Sequence, residues 1–186
     1  GKEFIDLTTI PRVLACIDYM FKDKFKISAV SLREPLKNYG LQKLHIDWIP
    51  RQNLLEGFSC LTCYIAIDDI NKNNGCISVI PGSQNILDYP QEYIDINKKH
   101  PKEIDIELKA GEIIILNSLL WHRGNVNLSG KRRRAIFIEY RNRILISSKY
   151  FDWSKLLLDE FTSLHSDFNN EFEIIKQNNK FTFNFC

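Results

Sequence analysis

Long apolar runs, a charge excess and an amino-terminal targeting pattern are all missing from this chain of 186 residues. No run of apolar residues approaches the roughly 20 that a membrane-spanning helix needs. The net charge of +2 is too small to indicate nucleic acid or an anionic membrane as a partner. The first residues, GKEFIDLTTIPRVL, lack the charged and then apolar layout of a secretory signal. We therefore expect an ordinary globular protein without nucleic-acid or membrane partners.

Cysteine is present, but not in the pattern of a disulfide framework. The five cysteines are an odd and scattered set, and without a secretory signal they favour a reducing compartment, so a cytoplasmic protein is expected. Cys60 and Cys63 have CxxC spacing, yet neither a second pair of zinc ligands nor a strand-to-helix turn accompanies them. We interpret both as small apolar residues of a buried strand.

The order of the predicted elements indicates a mainly β protein with flanking α-helices. Residues 10–22 have apolar side chains at helical spacing, and a second helical pattern runs from Trp153 to about His165. Between them, turn residues separate short β-rich segments, which favours a jelly roll whose two facing sheets enclose a pocket. Neither an internal repeat nor a low-complexity linker interrupts the chain, so a single domain over residues 1–186 is expected. The predicted strands cover 41–48, 58–70, 76–81, 104–108, 112–122 and 133–141.

Two residues of the first predicted strand have side chains suited to bind a metal. His45 and Asp47 are separated by one residue, so in a strand their side chains point the same way. A third ligand at His122 would complete a set of two histidines and one carboxylate, which occupies one face of Fe(II) and leaves the other open. That His45 and His122 meet is an inference from this chemistry, because periodicity alone does not show it.

Arg133 follows His122 by eleven residues and offers a fixed planar cation for a carboxylate cosubstrate. It lies in a run of four basic residues, 131–134, which is short for a nucleic-acid patch in an otherwise charge-balanced chain. Strand alternation sends Arg133 inward and leaves Arg132 and Arg134 outside. The pattern therefore favours a cosubstrate or structural role for Arg133.

Three longer segments resemble the phytanoyl-CoA dioxygenase family of Fe(II)/2-oxoglutarate oxygenases. They are HIDW, YIAIDDINKNNGCISVIPGSQ and LKAGEIIILNSLLWHRGNVNLSGKRRRAIFIEYR, which follow the family's order over about residues 40–142. The resemblance implies a double-stranded β-helix, a cupin-like variant of the jelly roll, with His45, Asp47 and His122 as metal ligands. It also implies that Arg133 binds 2-oxoglutarate and that Tyr64 lies beside this cosubstrate.

The activity implied by the resemblance is that of a dioxygenase. With Fe(II), it would use 2-oxoglutarate and O2, release succinate and CO2, and hydroxylate a small molecule. Related halogenases have a small residue in place of the carboxylate ligand, so the presence of Asp47 favours hydroxylation. Two alternatives stay open: a cupin-like metalloenzyme that does not use 2-oxoglutarate and has no need of Arg133, and a non-catalytic jelly-roll binding module. The substrate and the oligomeric state do not follow from the sequence.

The chain departs from the family pattern in two ways. Relatives often carry Ser or Thr two positions after the histidine that corresponds to His122, as a further 2-oxoglutarate contact. This chain has Gly124 there, so a hydrogen-bond donor to 2-oxoglutarate must come from elsewhere. Family members usually have a longer N-terminal region, whereas this chain reaches its HxD motif at residue 45. We expect either a short family member or a fragment truncated at its N-terminus.

Overall fold

The computed structural model describes residues 2–142. The described chain forms two compact units, one of residues 27–141 and a smaller one that includes residues 2–26 and Asn142. No helix within residues 2–142 is long and apolar enough to cross a membrane. The predicted helix that starts at Trp153 lies outside the described residues, and the single domain over 1–186 stays a prediction.

Two helices, α1 (Lys2–Thr8) and α2 (Pro11–Phe21), begin the chain. Proline suits the first turn of α2 because its missing N–H would have no partner inside the helix. The helix ends where Lys22 adopts a left-handed conformation with φ of 53°, and its N–H donates to the carbonyl of Asp18. The predicted helix over 10–22 is thus confirmed. Its apolar positions, spaced by three and four residues, are buried: Val13, Leu14, Ile17 and Phe21.

Seven strands follow, in two sheets in which β2 pairs antiparallel with β5 and β7, and β3 pairs antiparallel with β4 and β6. The larger sheet has the order β1-β7-β2-β5, and the smaller has the order β4-β3-β6. In the larger sheet, Tyr64 of the central strand lies opposite both Phe137 and Ile114. The strands are β1 (Phe25–Arg33), β2 (Cys60–Ala66), β3 (Ile77–Val79), β4 (Ile104–Ile106), β5 (Ile113–Asn117), β6 (His122–Gly124) and β7 (Ala135–Asn142).

The hydrophobic core lies between the two sheets. Tyr64 and Ala66 of β2 form one buried cluster with Ile77 and Val79 of β3. Every residue of β2 is buried, as expected for a central strand covered on both faces. Cys60 and Cys63 are buried within it, which agrees with their interpretation as small apolar residues. The predicted mainly β jelly roll is confirmed.

The segment around the HxD motif is not the strand predicted over 41–48. It forms only a single antiparallel bridge, between His45 and His122. Its other backbone bonds run from Gln42 N–H to the Gly124 carbonyl and from Leu44 N–H to the Ile96 carbonyl, both at 3.0 Å, and from Asp47 N–H to the Ser118 carbonyl at 2.8 Å. Because these acceptors belong to different parts of the chain, no continuous ladder forms with one neighbour.

The predicted strand over 112–122 is divided between the two sheets. Strand β5 ends at Asn117, whose side-chain oxygen accepts the N–H of Leu119 at 3.0 Å and whose carbonyl accepts the N–H of Leu120 at 2.9 Å. These bonds form a turn, after which β6 begins at His122 in the smaller sheet. Asparagine side chains commonly bond to the backbone two residues on, and so initiate turns.

Candidate metal centre

His45 and His122 meet through a pair of backbone hydrogen bonds. The N–H of each residue donates to the carbonyl of the other at 3.0 Å. His122 is itself held in β6, where it pairs with Val79 of β3. Two histidines that lie 77 positions apart in the sequence are therefore fixed as direct neighbours across one bridge.

The carboxylate of Asp47 lies between the two imidazoles. Its Oδ1 is 3.5 Å from Nε2 of His45, and its Oδ2 is 3.3 Å from Nε2 of His122. One donor atom from each residue falls within 4.8 Å of the others. Within residues 2–142, this is the group of His, Cys, Asp and Glu side chains with the geometry to hold a metal ion.

Backbone carbonyls orient both imidazoles. Nδ1 of His45 lies 2.7 Å from the carbonyl oxygen of Lys43, and Nδ1 of His122 lies 2.8 Å from that of Leu120. A carbonyl can only accept, so each Nδ1 carries the proton, and the Nε2 atom of a neutral ring keeps a lone pair for a metal. Such outer hydrogen bonds commonly fix the orientation of metal-binding histidines.

The electrostatics of the cluster keep Asp47 ionised. Burial raises the pKa of Asp47, but its hydrogen bonds to His122 and His45 outweigh burial and hold the pKa well below its usual range. Burial lowers the pKa of His45, while the bonds to Asp47 and to the Lys43 carbonyl raise it above the ordinary imidazole value. A metal ion would replace the protons of these imidazole–carboxylate bonds, and the carboxylate with the two Nε2 atoms is a donor set that fits Fe(II).

Arg133 is buried with only 4% of its surface exposed, although it precedes β7 instead of lying in the predicted strand over 133–141. Within residues 2–142, its Nε has no hydrogen-bond partner. The flanking arginines point outward as alternation predicts, Arg132 to Glu34 and Arg134 to Asp68. Burial lowers the pKa of Arg133, because its charge is removed from water and no carboxylate of the described part of the chain pairs with it. The arrangement provides a place for an anion.

The aromatic ring of Tyr64 packs against the guanidinium of Arg133. The guanidinium carbon of Arg133 lies 5.6 Å from the centre of the Tyr64 ring, close enough for a cation–π interaction. Tyr64 is fully buried, and its hydroxyl has no hydrogen-bond partner among the described residues. Burial raises the pKa of Tyr64 to about 12, so its hydroxyl stays protonated and can donate.

A cavity of about 350 Å³ extends from the candidate metal ligands to Arg133. Asp47 and His122 line it on one side and Arg133 on another, whereas Tyr64 lies outside its wall. The rest of the wall consists of residues 33–35 and 40–42 together with Ile77, Gly124 and Phe137. The structure thus brings two of the predicted metal ligands and the predicted cosubstrate arginine to one cavity, and the third ligand, His45, contacts Asp47.

Gln42 lines the same cavity and was not expected from the sequence. The N–H of Gly124 donates to Oε1 of Gln42 at 2.8 Å. A Cβ added to Gly124 would lie only 2.8 Å from this oxygen and 3.1 Å from the carbonyl of Gly40. The Gln42 side chain therefore occupies the space that a side chain at position 124 would need. A lone glutamine before the HxD motif gives no pattern by which sequence analysis could find it.

The sequence of residues 27–135 matches the family described as Phytanoyl-CoA dioxygenase (PhyH). A rice protein, phytanoyl-CoA dioxygenase 1 of Oryza sativa subsp. japonica, is 32% identical over 52% of this chain and 36% of its own length. The 2-aminoethylphosphonate dioxygenase of the uncultured bacterium HF130_AEPn_1 is 30% identical over 54% of this chain and 40% of its own. The chain therefore spans well under half the length of these relatives.

Solved structures are similar in fold at low sequence identity. HygX from Streptomyces hygroscopicus, with nickel and 2-oxoglutarate bound, aligns with a TM-score of 0.67 at 15% identity over 82% of this chain and 70% of its own. SnoN, an alpha ketoglutarate dependent epimerase from nogalamycin biosynthesis, aligns with a TM-score of 0.61 at 17% identity over 76% of this chain and 59% of its own. Because the family match covers more than half of the residues, the chain belongs to the phytanoyl-CoA dioxygenase family, as its motifs predicted.

Proposed function

We propose that this chain carries the active site of an Fe(II)- and 2-oxoglutarate-dependent dioxygenase that acts on a small molecule. The observation that carries the proposal is that one cavity joins Asp47 and His122 to Arg133, a buried cation with no ion pair to any of the residues that the structure describes. A group of three metal-binding side chains alone would be compatible with many kinds of metalloenzyme. A buried arginine without a counter-ion, beside that cluster, specifically favours a cosubstrate that has a carboxylate.

His45, Asp47 and His122 would hold the metal through two Nε2 atoms and one carboxylate oxygen. Three protein ligands leave positions open for the 2-oxo acid group and for O2. Bound Fe(II) supplies the oxidative chemistry in which 2-oxoglutarate and O2 become succinate and CO2 while one oxygen atom passes to the substrate. The chain's contribution is to hold these donors in place, and the two carbonyl–imidazole bonds do this without a further side chain.

Arg133 would bind the far carboxylate of 2-oxoglutarate with paired hydrogen bonds, which are stronger than neutral ones. Its burial strengthens this interaction because little water competes. Tyr64 would keep the guanidinium in place through its ring. Among the described residues, the tyrosine hydroxyl has no other partner, so it is available to a bound group that reaches it.

Hydroxylation is the proposed outcome because the carboxylate of Asp47 is present as a ligand. The rice and bacterial relatives are both named dioxygenases, which supports oxygenase chemistry, whereas SnoN is described as an epimerase. The cupin-like alternative without 2-oxoglutarate leaves the burial of Arg133 unexplained. A non-catalytic module leaves the three-residue donor set unexplained. The cytoplasmic location expected from the cysteines stays a prediction.

Visible absorption under anaerobic conditions tests the proposal. The full chain receives Fe(II) and then 2-oxoglutarate, and a charge-transfer band is expected only after both additions. His45→Ala should abolish the band because it removes one ligand. His100→Ala is the matched control, since His100 lies outside the cavity, and it should keep the band.

The outcome separates the alternatives. A band in the native chain and in His100→Ala, but not in His45→Ala, would support cosubstrate bound to iron at this site. Iron binding without a band would favour the cupin-like enzyme. A folded chain that binds no iron would favour the non-catalytic module.

A further inference from the structure

A second arginine, Arg33, faces the same cavity as Arg133. We propose that Arg33 binds an anionic oxygen group of the organic substrate, a carboxylate, phosphate or phosphonate. The inference rests on the proposed function, because it assigns 2-oxoglutarate to Arg133 and a different ligand to Arg33. It thereby names a substrate class for the site.

Arg33 is the last residue of β1, the strand that pairs with β7 at the edge of the larger sheet. Its guanidinium carbon lies 4.7 Å from the centre of the Phe137 ring. A guanidinium that rests on an aromatic ring keeps the N–H groups of its edge available. Those groups can form paired hydrogen bonds with an oxyanion.

Arg33 has no ionic partner within residues 2–142. The adjacent acid, Glu34, is held by Arg132 through two hydrogen bonds of 2.8 and 3.2 Å. The other acid that lines the cavity, Asp47, lies between the two imidazoles. Both nearby carboxylates are therefore engaged elsewhere, and Arg33 is left to bind a ligand.

The two cavity arginines have different surroundings. Arg133 is 4% exposed and stacks on Tyr64, whereas Arg33 is exposed to solvent and stacks on Phe137. The two rings meet edge to face, with centres 4.5 Å apart. Arg133 thus lies in the interior and Arg33 at the mouth, where a ligand that enters after the cosubstrate would meet it.

The charges of the loaded site leave Arg33 uncompensated. Fe(II), the Asp47 carboxylate, the Arg133 guanidinium and doubly negative 2-oxoglutarate together have no net charge. Arg33 then contributes one positive charge to the cavity wall, next to another arginine that repels it. A substrate with an anionic group would neutralise this charge, whereas a neutral substrate would leave it unpaired.

Nuclear magnetic relaxation of small anions, measured by NMR in the presence of the bound iron, tests the inference. The full chain is loaded anaerobically with Fe(II) and 2-oxoglutarate, and methylphosphonate or carbon-13-labelled acetate is added. Paramagnetic iron accelerates relaxation of the phosphorus or carbon nucleus of an anion that binds nearby. The visible band, recorded on the same samples, reports whether 2-oxoglutarate stays bound.

Arg33→Gln should weaken binding of the anion roughly tenfold or more, as expected when a charge-assisted hydrogen bond is removed. Arg33→Lys keeps the charge and should retain part of the effect. Lys37→Gln is the matched control, because Lys37 is an exposed cation of the neighbouring loop that does not line the cavity. The visible band should be unchanged in all three variants. Whichever anion binds the native chain more tightly, methylphosphonate or acetate, indicates the preferred oxyanion.

Five results would overturn the inference. If Arg33→Gln leaves the iron-induced relaxation of the anion at its native value, Arg33 does not bind the anion. If this variant loses the visible band, Arg33 binds the cosubstrate instead. Disappearance of the band when the anion is added would place the anion at Arg133. A native band without any anion effect would refute the inference and leave the proposed function intact. Absence of the band from the native chain would refute both.

Discussion

The guanidinium of Arg133 lies 5.6 Å from the centre of the Tyr64 ring, and each of these buried side chains has a polar atom without a hydrogen-bond partner in residues 2–142. Burying a charge without a partner destabilises a protein. Such an arrangement is common where a ligand supplies the missing partner, because binding sites retain groups that folding alone would not favour. The pair therefore links the packing of the core to the proposed binding of a carboxylate.

Arg133→Ala should weaken binding of 2-oxoglutarate roughly 10- to 100-fold, since a hydrogen bond to a charged group contributes about 1.5–3 kcal/mol. Fe(II) affinity should change little, because Arg133 is not among the three clustered donors. Titration of the visible band measures the first quantity, and competition with a coloured chelator measures the second.

Lys131→Ala serves as the control for this variant, because it removes an exposed charge two residues away. It should bind 2-oxoglutarate like the native chain. Without ligand, Arg133→Ala should be at least as stable as the native chain in urea, since it removes a buried unpaired charge. An equal loss of iron and 2-oxoglutarate binding would contradict the assigned role.

Gly124→Ala should destabilise the chain by about 1–3 kcal/mol through overpacking, because the new Cβ would meet the Gln42 side chain. Gln42→Ala in the same chain should recover part of this loss by emptying that space. Urea unfolding of the two single variants and the double variant gives the coupling energy, expected to be about 0.5–3 kcal/mol for residues in contact. Purely additive effects would mean that the two residues do not share the space.

Glu103→Ala should be among the most destabilising changes in the compact unit of residues 27–141. Glu103 pairs with Arg123, and their side chains are only 1% and 5% exposed. Removing one partner of a buried ion pair leaves an uncompensated charge and costs about 3–5 kcal/mol. The exposed pair of Lys98 and Asp95 is the comparison, and Asp95→Ala should cost less than about 1 kcal/mol. Similar urea midpoints for the two variants would be inconsistent with this reasoning.

Asp68 should make stability depend on acid pH. Hydrogen bonds from Arg134, opposed by slight burial, lower the pKa of Asp68 to about 2. Because the folded-state pKa is below the unfolded value of about 3.9, the stabilisation is present above that value and is lost as pH falls toward 2.

Asp68→Asn, compared with the native chain, isolates this contribution. The variant should be less stable at pH 7 by roughly 1 kcal/mol or less, since the pair is partly exposed to solvent. The difference should shrink between pH 5 and pH 2, measured by urea unfolding at each pH. A difference that stays constant over this range would show that the carboxylate charge is not involved.

Local sequence patterns correctly predicted the elements whose secondary structure depends on residues close together in the chain. The apolar spacing of residues 10–22 gave the helix α2, and the apolar run of residues 58–70 contained the buried strand β2. Strand β1 was not predicted, because it lies at a sheet edge and six of its nine residues are exposed. An edge strand is held by backbone bonds to its neighbour, and these leave little trace in hydrophobic pattern. Arg33 was missed with it.

The sequence by itself determined the chemistry available to this protein: a histidine and a carboxylate two positions apart, a distal histidine, an inward arginine and the motifs of the family. Tertiary structure alone decided that His45 and His122 share a backbone bridge, that Gln42 fills the space beside Gly124, and that Arg33 joins Arg133 at one cavity. The reason is physical. Periodicity reports which side of an element is buried, whereas contacts between distant segments depend on hydrogen bonds and packing formed only when the sheets assemble.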